Sequence, residues 1–321
     1  MMPGQQASSK VYRVFGLHLQ SDLEIEYLTE VADVPDRPVA DLVVRRVSGL
    51  VRASHDMDPH FDITPEKQYF HWTAIGAFQI ESQNEILIEL HDGVSDLLAS
   101  HALMGLVMSV ALELRGLLSL HASGVRVDGK AAVFLGDKGA GKSTTTGAMI
   151  QGGHRPISDD LIAVDTSGPL AKGATHPVIH PGFSTTKLYP DSIAALGLTD
   201  DESDREIHHS TVKKQKQLPQ QVAESAVPVG ALFVLLRDKD AQTIEATRCA
   251  PHEALQAVLR FTFKARYGET KLGRDKLVEH MQKCSRLVAA APVYKLVIPH
   301  SLERLSEIPP AVAQVMKADV S

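Results

Sequence analysis

Short runs that alternate apolar and polar residues occupy the first ninety residues of the chain. Four such runs, VYRVFGLHLQ, DLVVRRV, QYFHWTAIGAFQI and EILIEL, are separated by Pro, Gly, Asp and Asn. Alternation with a period of two between turn residues is typical of half-buried strands. We therefore predict a β-rich N-terminal region over residues 1–94, with Trp72 in the core of its sheet.

The apolar period lengthens to about 3.6 after Ser95, as expected of a helix. Leucine, methionine, valine and alanine residues then fall on one stripe as far as Gly116, which predicts an amphipathic helix. Ser95 follows Gly93 and can cap the first turn. We assign residues 95–117 to a connecting helix between the N-terminal region and a third region, residues 118–321.

Two apolar runs meet at Asp128-Gly129, among the strongest short-range signals of a hairpin. The runs are LSLHASGVRV before the dipeptide and AAVFL after it. A two-residue loop pairs Val127 with Lys130, and the same register places His121 opposite Gly136.

Strands and helices alternate after this hairpin, which predicts an α/β core. Further strands are predicted at residues 154–158 and 161–165, in GALFVLL and in PVYKLVI, and helices at 143–151, 192–196, 251–264, 271–290 and 310–318. Residues 200–220 are polar without an apolar period, which indicates a candidate mobile loop. The sequence leaves open whether that loop is a substrate lid or a disordered insert.

Composition excludes several classes of protein. The chain has 321 residues, 44% hydrophobic and 22% charged, which is ordinary for a globular protein. Its net charge is −6, and its densest basic cluster, Lys213, Lys214 and Lys216, is too short for a nucleic-acid surface. Two cysteines without a paired motif indicate neither a disulfide framework nor a zinc site.

The terminus and the apolar runs favour a soluble cytoplasmic protein. MMPGQQASSK lacks the apolar centre of a secretion signal. The longest apolar stretch, residues 103–120, is interrupted by Glu113 and Arg115, so we expect no membrane-spanning segment and no membrane partner.

One glycine-rich segment carries a chemical motif. GDKGAGKST fits G-x-x-x-x-G-K-[ST], in which backbone N–H groups and one lysine surround the phosphates of a nucleotide. Four fixed positions match by accident in about one chain in a hundred of this length, so the context must decide. A strand, AAVFL, enters the segment and a helix leaves it, as the motif requires. The candidate nucleotide-binding residues are Gly136, Asp137, Lys138, Gly139, Ala140, Gly141, Lys142, Ser143 and Thr144.

An aspartate pair is expected at the same edge of the sheet. The helix after the loop is about 15 Å long at 1.5 Å per residue, and the strand after Gly152-Gly153 runs back about 16 Å. This strand carries Asp159 and Asp160 to the edge where the loop begins. Two adjacent carboxylates at a phosphate site favour a Mg²⁺ ligand and a general base over a solvated turn.

Residues 120–165 together resemble the catalytic domain of HPr kinase/phosphorylase and its relatives, which share a phosphoenolpyruvate-carboxykinase-like nucleotide fold. Three features carry the resemblance: a histidine 21 residues before the loop lysine, the loop itself, and an aspartate pair 16 and 17 residues after the loop serine. The resemblance implies an α/β fold with an HPr-kinase-like P-loop core after the β-rich N-terminal region.

The family roles carry over to matching positions. By resemblance, Asp160 accepts the proton of the substrate hydroxyl, Lys142 binds the β- and γ-phosphates, and His121 assists at the transferring phosphate. Ser143 ligates Mg²⁺, and Asp159 holds the metal or its waters. ATP and Mg²⁺ are thus the implied cofactors, and the family's further acidic metal ligand has no assigned counterpart. From the residues alone, His121 has the alternative of a hydrogen-bonded strand histidine.

Outside that block, the segments VYRVFGLHLQSDLEI, ELRGLLSLHAS, KLYPD and APVYKL resemble smaller HPr-kinase-like proteins of peptide-modifying clusters. Among these are lasso-peptide precursor kinases, which phosphorylate a serine of a peptide. This implies an ATP-dependent serine kinase whose partner is a peptide or small protein, with a homo-oligomer possible. Three alternatives stay open: a kinase/phosphorylase of a carrier protein such as HPr, a kinase of free serine, and a nucleotide-gated sensor without transfer.

Overall fold

The chain folds into a mixed α/β structure with two compact units. The computed structural model describes residues 9–31, 39–52, 59–167, 177–183, 185–198, 205–206, 214–217, 222–266 and 273–318. The first unit comprises Met1–Arg115 and Tyr267–Lys276, and the second comprises Gly116–Arg266 and Leu277–Ser321.

The first unit contains a seven-stranded mixed sheet. In chain order its strands are β1 (Lys10–Val14), β2 (Leu17–Ser21), β3 (Leu42–Arg46), β4 (His60–Ile63), β5 (Gln68–Trp72), β6 (Gly76–Ser82) and β7 (Glu85–Leu90). They lie in the order β1-β2-β3-β7-β6-β5-β4. Trp72 packs edge-on against Phe61 and Phe78, so its ring belongs to an aromatic cluster of the sheet.

Two runs that the sequence analysis treats as single strands are hairpins. VYRVFGLHLQ turns at Phe15 and Gly16, which both have positive φ, at 52° and 77°. QYFHWTAIGAFQI turns before Gly76, whose φ is 132°. The single-strand prediction was wrong in both places because apolar residues continue through each turn.

A helix of three segments follows the sheet: α1 (Asp96–Ala102), a π-helical turn (Leu103–Val107) and α2 (Met108–Leu114). Ser95 caps it as predicted, its hydroxyl accepting from the Leu98 N–H at 3.3 Å. Asp96–Leu114 has a mean hydropathy of 1.8 and is long enough to cross a membrane, which corrects the expectation that no apolar run is so long. Of this segment, 56% is buried within the structure, as in core helices of soluble proteins.

The second unit alternates strands and helices as predicted. Its strands are β8 (Leu118–Leu120), β9 (Ala122–Val127), β10 (Lys130–Leu135), β11 (Arg155–Ser158), β12 (Ile162–Asp165), β13 (Val178–His180), β14 (Thr185–Leu188), β15 (Arg205–Glu206), β16 (Lys214–Gln217), β17 (Val227–Asp238), β18 (Glu245–Arg248) and β19 (Val293–Pro299). Its helices are α3 (Lys142–Gln151), α4 (Pro190–Ala195), α5 (Pro251–Arg260), α6 (Gly273–Ala290, which begins in the first unit) and α7 (Ile308–Ala318). Short 3₁₀ turns lie at Phe263–Arg266 and Leu302–Glu307.

The long strand β17 is the centre of the second unit. It pairs in parallel with β10 and with β19, and its first residues pair with β13. Alternate residues of β10 face two different cores: Val133 joins a cluster with Val258 and Leu287, and Phe134 joins one with Met149 and α7. Both faces of the sheet are covered, which explains the continuous apolar runs of its central strands.

The hairpin that leads to the loop has the predicted register. Asp128 and Gly129 have φ of 47° and 85°, as a type I′ turn requires, and the pairing runs from Val127↔Lys130 to Ala122↔Leu135. The ladder ends there, so the predicted pair of His121 with Gly136 does not form. The His121 N–H donates to the Phe261 carbonyl at 2.8 Å instead.

Part of the polar segment 200–220 has regular structure. Residues 214–217 form a strand that pairs with β14 on one side and with the strand at residues 205–206 on the other, which corrects the prediction of a loop throughout. The rest of that segment lies outside the described residues. The sequence analysis also missed β18, whose composition is mostly polar and exposed.

We expect Gly76→Ala to destabilise the first unit strongly. A Cβ at Gly76 would lie 2.1 Å from the Glu89 carbonyl oxygen. The variant therefore loses stability in two ways, by about 1–2 kcal/mol from backbone strain at positive φ and by about 1–3 kcal/mol from overpacking. Urea unfolding followed by the fluorescence of Trp72, the single tryptophan, measures the loss.

Gly93→Ala is the matched control for this prediction. Gly93 has φ of 80° but nothing within 4 Å of its Cβ position, so the variant loses only the backbone term. Equal losses in the two variants would contradict the steric argument.

Candidate active site

The glycine-rich loop lies between the end of β10 and the start of α3. Gly139 and Gly141 both have φ of 89°, a conformation that favours glycine. Gly141 is the N-cap of α3, and no side chain caps this helix end. The first N–H groups of a helix have no partner within the helix, and an N-terminus whose N-cap residue makes no capping bond is the usual arrangement of an anion site.

Lys142 folds back over the loop that precedes it. Its Nζ donates to the Gly136 carbonyl at 2.7 Å and to the Asp137 carbonyl at 3.4 Å, and the residue is buried. An ammonium group rotates freely among acceptors, so a phosphate oxygen can replace either carbonyl.

Other members of the predicted nucleotide-binding set have distinct surroundings. The Thr144 hydroxyl lies 3.1 Å from the Ser192 hydroxyl of α4 and is buried. Ser143 is half-buried and Lys138 is exposed. Asp137 is exposed and forms an ion pair with Arg260 at 2.7 Å.

The aspartate pair follows β11 at the same edge of the sheet as the loop. β9 is antiparallel to both β10 and β11, so these two strands run in the same direction and end at one edge. Asp159 is 5% exposed and accepts a hydrogen bond from the Ser123 hydroxyl. Ser123 pairs with Phe134, two residues before Gly136. The Asp159 carboxylate is therefore held one strand away from the entrance of the loop.

Asp160 lies beside His121. The His121 Nδ1 is 3.1 Å from the Asp160 Oδ1 and 3.1 Å from its carbonyl oxygen. The φ of Asp160 is 73°, a region that aspartate tolerates better than most residues. Its side chain is 41% exposed, against 14% for that of His121. The site thus presents an accessible carboxylate with an imidazole behind it.

The segment after α5 also contacts His121. Its N–H donates to Phe261, and its ring lies edge-on to the Phe263 ring, with centroids 5.5 Å apart at 83°. The isolated bridge Leu120↔Thr262 adds a further contact. Three consecutive residues therefore fix the position of the imidazole.

The oxygen donors at this edge suit magnesium bound together with phosphates. Among the residues that the structure describes, no three His, Cys, Asp or Glu side chains converge on one point. Magnesium in nucleotide sites takes one or two protein oxygens and completes its shell with phosphate and water. The Ser143 hydroxyl and the Asp159 carboxylate are donors of this kind, so the residues fit Mg²⁺ as a nucleotide complex and not as an isolated ion.

Several residues of this edge carry no sequence signal that predicts their role. Ser123 and Phe263 have no chemical motif to mark them. Arg237 is the penultimate residue of the apolar strand β17, and its guanidinium donates to the Ala140 carbonyl of the loop at 3.3 Å. Burial lowers the pKa of Arg237 from its ordinary value, but the group stays protonated at any physiological pH. The available signal for Arg237 was a charged residue near the end of an apolar strand.

Comparison with known proteins gives a distant structural likeness. No family model matches the chain, and no curated protein matches it. The chain is similar to a solved structure, the Hpr(Ser) kinase/phosphatase from Coxiella burnetii, over 62% of this chain and 98% of that one, with 13% sequence identity and a TM-score of 0.31. So distant a likeness carries no argument about chemistry. The cofactors, the acceptor and the roles of the site residues stay predictions.

We expect Ser123→Ala to destabilise the second unit by about 1.5–3 kcal/mol, the range for hydrogen bonds to charged groups. The Ser123 hydroxyl donates to the buried Asp159 carboxylate, which the variant leaves less well satisfied. Urea unfolding followed by far-ultraviolet circular dichroism measures the effect.

Ser158→Ala provides the matched comparison, since Ser158 is buried at the same edge. Its hydroxyl makes no hydrogen bond to any residue that the structure describes, so its removal is expected to be neutral or stabilising. A loss in Ser158→Ala as large as that in Ser123→Ala would show that the contact with Asp159 is not the cause.

Proposed function

We propose that this protein is an ATP-dependent kinase that transfers the γ-phosphoryl group to the serine hydroxyl of a peptide or small protein. One observation carries the proposal: an accessible carboxylate, Asp160 with His121 behind it, lies at the sheet edge where the glycine-rich loop meets the uncapped N-terminus of α3. Phosphate binding alone needs no such carboxylate. Transfer to a hydroxyl does, because the hydroxyl proton must be removed.

The chain supplies positioning and charge, which are the main requirements of phosphoryl transfer. The loop N–H groups and the α3 N-terminus bind the β- and γ-phosphates, and the Lys142 ammonium moves from the loop carbonyls to the phosphate oxygens. Ser143 and Asp159 are the residues that would hold Mg²⁺, which would neutralise phosphate charge when bound with the nucleotide.

Asp160 acts as the base in the transfer. The serine oxygen forms its bond to the γ-phosphorus as the bond from phosphorus to the bridging oxygen of ADP breaks. The hydroxyl proton passes to the Asp160 carboxylate, and ADP leaves with the bridging electron pair. His121 contacts the carboxylate through Nδ1, and we propose that it also assists at the transferring phosphate.

The acceptor is proposed from sequence resemblance and not from the site geometry. A lasso-type precursor peptide is the leading candidate, and the reaction would use the ATP of the cytoplasm, where we place the protein. HPr-like carriers and free serine present the same hydroxyl chemistry, so only direct comparison separates them.

We expect Asp160→Asn to lower the turnover number by about 100-fold or more, the typical contribution of a general base. Asparagine occupies positive φ as readily as aspartate, so the backbone should keep its conformation and ATP affinity should change little. Transfer of label from γ-labelled ATP in the presence of Mg²⁺ measures turnover, and calorimetry measures affinity.

Asp165→Asn is the control, because Asp165 ends β12, the strand that begins just after Asp160, and bonds locally to Ser167. Its turnover should match that of the native protein. Undiminished transfer in Asp160→Asn would exclude Asp160 as the base.

A panel of acceptors tests the proposed substrate class. A serine-containing precursor peptide, HPr and free serine are each presented with labelled ATP, and we expect label on the peptide alone. The same peptide with alanine in place of its serine should stay unlabelled. Tight ATP binding without transfer to any acceptor would support the sensor alternative and overturn the kinase proposal.

A further inference from the structure

Arg237 lies directly behind the glycine-rich loop. β17 runs parallel to β10, and Val234 pairs with Leu135, the last residue before the loop. Arg237 is three residues further along β17, where the loop has already turned away from its own strand. The side chain therefore lies within reach of the loop backbone.

The guanidinium reaches three neutral acceptors. Nε donates to the Ala140 carbonyl at 3.3 Å, Nη2 to the Thr145 hydroxyl at 3.5 Å, and Nη1 to the Pro299 carbonyl at 3.5 Å. The first two acceptors belong to the loop and to the first turn of α3. Within the part of the chain that the structure describes, no carboxylate lies in ion-pair distance of this half-buried cation.

The contact with Ala140 fixes the direction of one peptide group. In a planar trans peptide the C=O and the following N–H point in opposite directions. Because the Ala140 carbonyl accepts from Arg237, the Gly141 N–H points away from Arg237. This N–H precedes the first turn of α3, where the helix end favours an anion.

The same guanidinium lies close to Gly141, whose positive φ of 89° favours glycine. A Cβ on Gly141 would lie 2.6 Å from Nη2 of Arg237. The planar guanidinium thus packs against the loop backbone itself, which a lysine ammonium cannot do in the same way.

We propose that Arg237 is a positioning residue of the phosphate site and its second cation. It holds the peptide between Ala140 and Gly141 with the N–H facing the phosphates, and its charge is balanced when a polyphosphate binds on the other side of the loop. This inference shares one premise with the proposed function, namely that the loop binds phosphates. It does not require phosphoryl transfer.

Calorimetric titration of the full chain with Mg-ATP and with Mg-pyrophosphate tests the proposal. Arg237→Gln is expected to weaken the binding of both ligands by about 10- to 100-fold, the range for loss of charge-assisted hydrogen bonds. The factor should be the same for both, because the side chain acts on the phosphates alone. Arg237→Lys keeps the charge without the planar fork and should recover part of the loss.

Arg304→Gln is the matched control, since Arg304 is a surface arginine paired with Glu307, and it should bind both ligands as the native chain does. Thermal unfolding checks that each variant folds. If Arg237→Gln does not fold, Arg237→Lys tests the proposal instead, and we expect it to bind both ligands more weakly than the native chain. Native affinity in a folded Arg237→Gln, or weakening for ATP but not pyrophosphate, overturns the inference. If the native chain binds neither ligand, both the inference about Arg237 and the proposed function are wrong. If the native chain binds the ligands without phosphoryl transfer, only the kinase proposal is wrong.

Discussion

The pairing of β9 with two strands at once is the constraint on which the site depends. β9 is antiparallel to β10 on one side and to β11 on the other. Its two neighbours must therefore run in the same direction and end at the same edge. The glycine-rich loop follows β10, and the aspartate pair follows β11. These two segments therefore lie at one edge of the sheet.

The chain changes partners at His121, and this break completes the site. β8, just before it, pairs with β12, whereas β9, just after it, pairs with β10 and β11. A residue between two such strands cannot give its N–H to either ladder, and a buried N–H without an acceptor is costly. The Phe261 carbonyl satisfies it, which brings the segment after α5 against the imidazole. The break therefore both frees the histidine side chain from the sheet face and supplies its support.

Local signals predicted the elements of the site, and tertiary pairing decided its details. Asp128-Gly129 specifies a tight turn, so the β9–β10 register could be read from residue types alone. The break at His121 could not, because nothing in the apolar and polar pattern of LSLHASGVRV marks the end of a strand there, and the pattern does not say which strand lies beside each residue. Arg237 was overlooked for a related reason: a charge at the end of an apolar strand usually indicates solvent, and only the parallel pairing with β10 places it behind the loop. The strands at 205–206 and 214–217 lack apolar alternation, so no periodic signal marked them.

Two aspartates next to each other in sequence acquire different properties from this arrangement. Asp159 is buried and bonded to Ser123, whereas Asp160, turned outward by its left-handed backbone, keeps an accessible carboxylate.

A similar division exists between the two cations of the loop. Lys142 bonds carbonyls at the entrance of the loop, which a phosphate can replace, and Arg237 bonds a carbonyl on the rear of the loop, which a phosphate on the front cannot reach. The loop thus combines one mobile charge with one fixed charge. Under the proposed phosphate binding, the fixed charge would keep the backbone donors oriented while the mobile charge exchanges its partners.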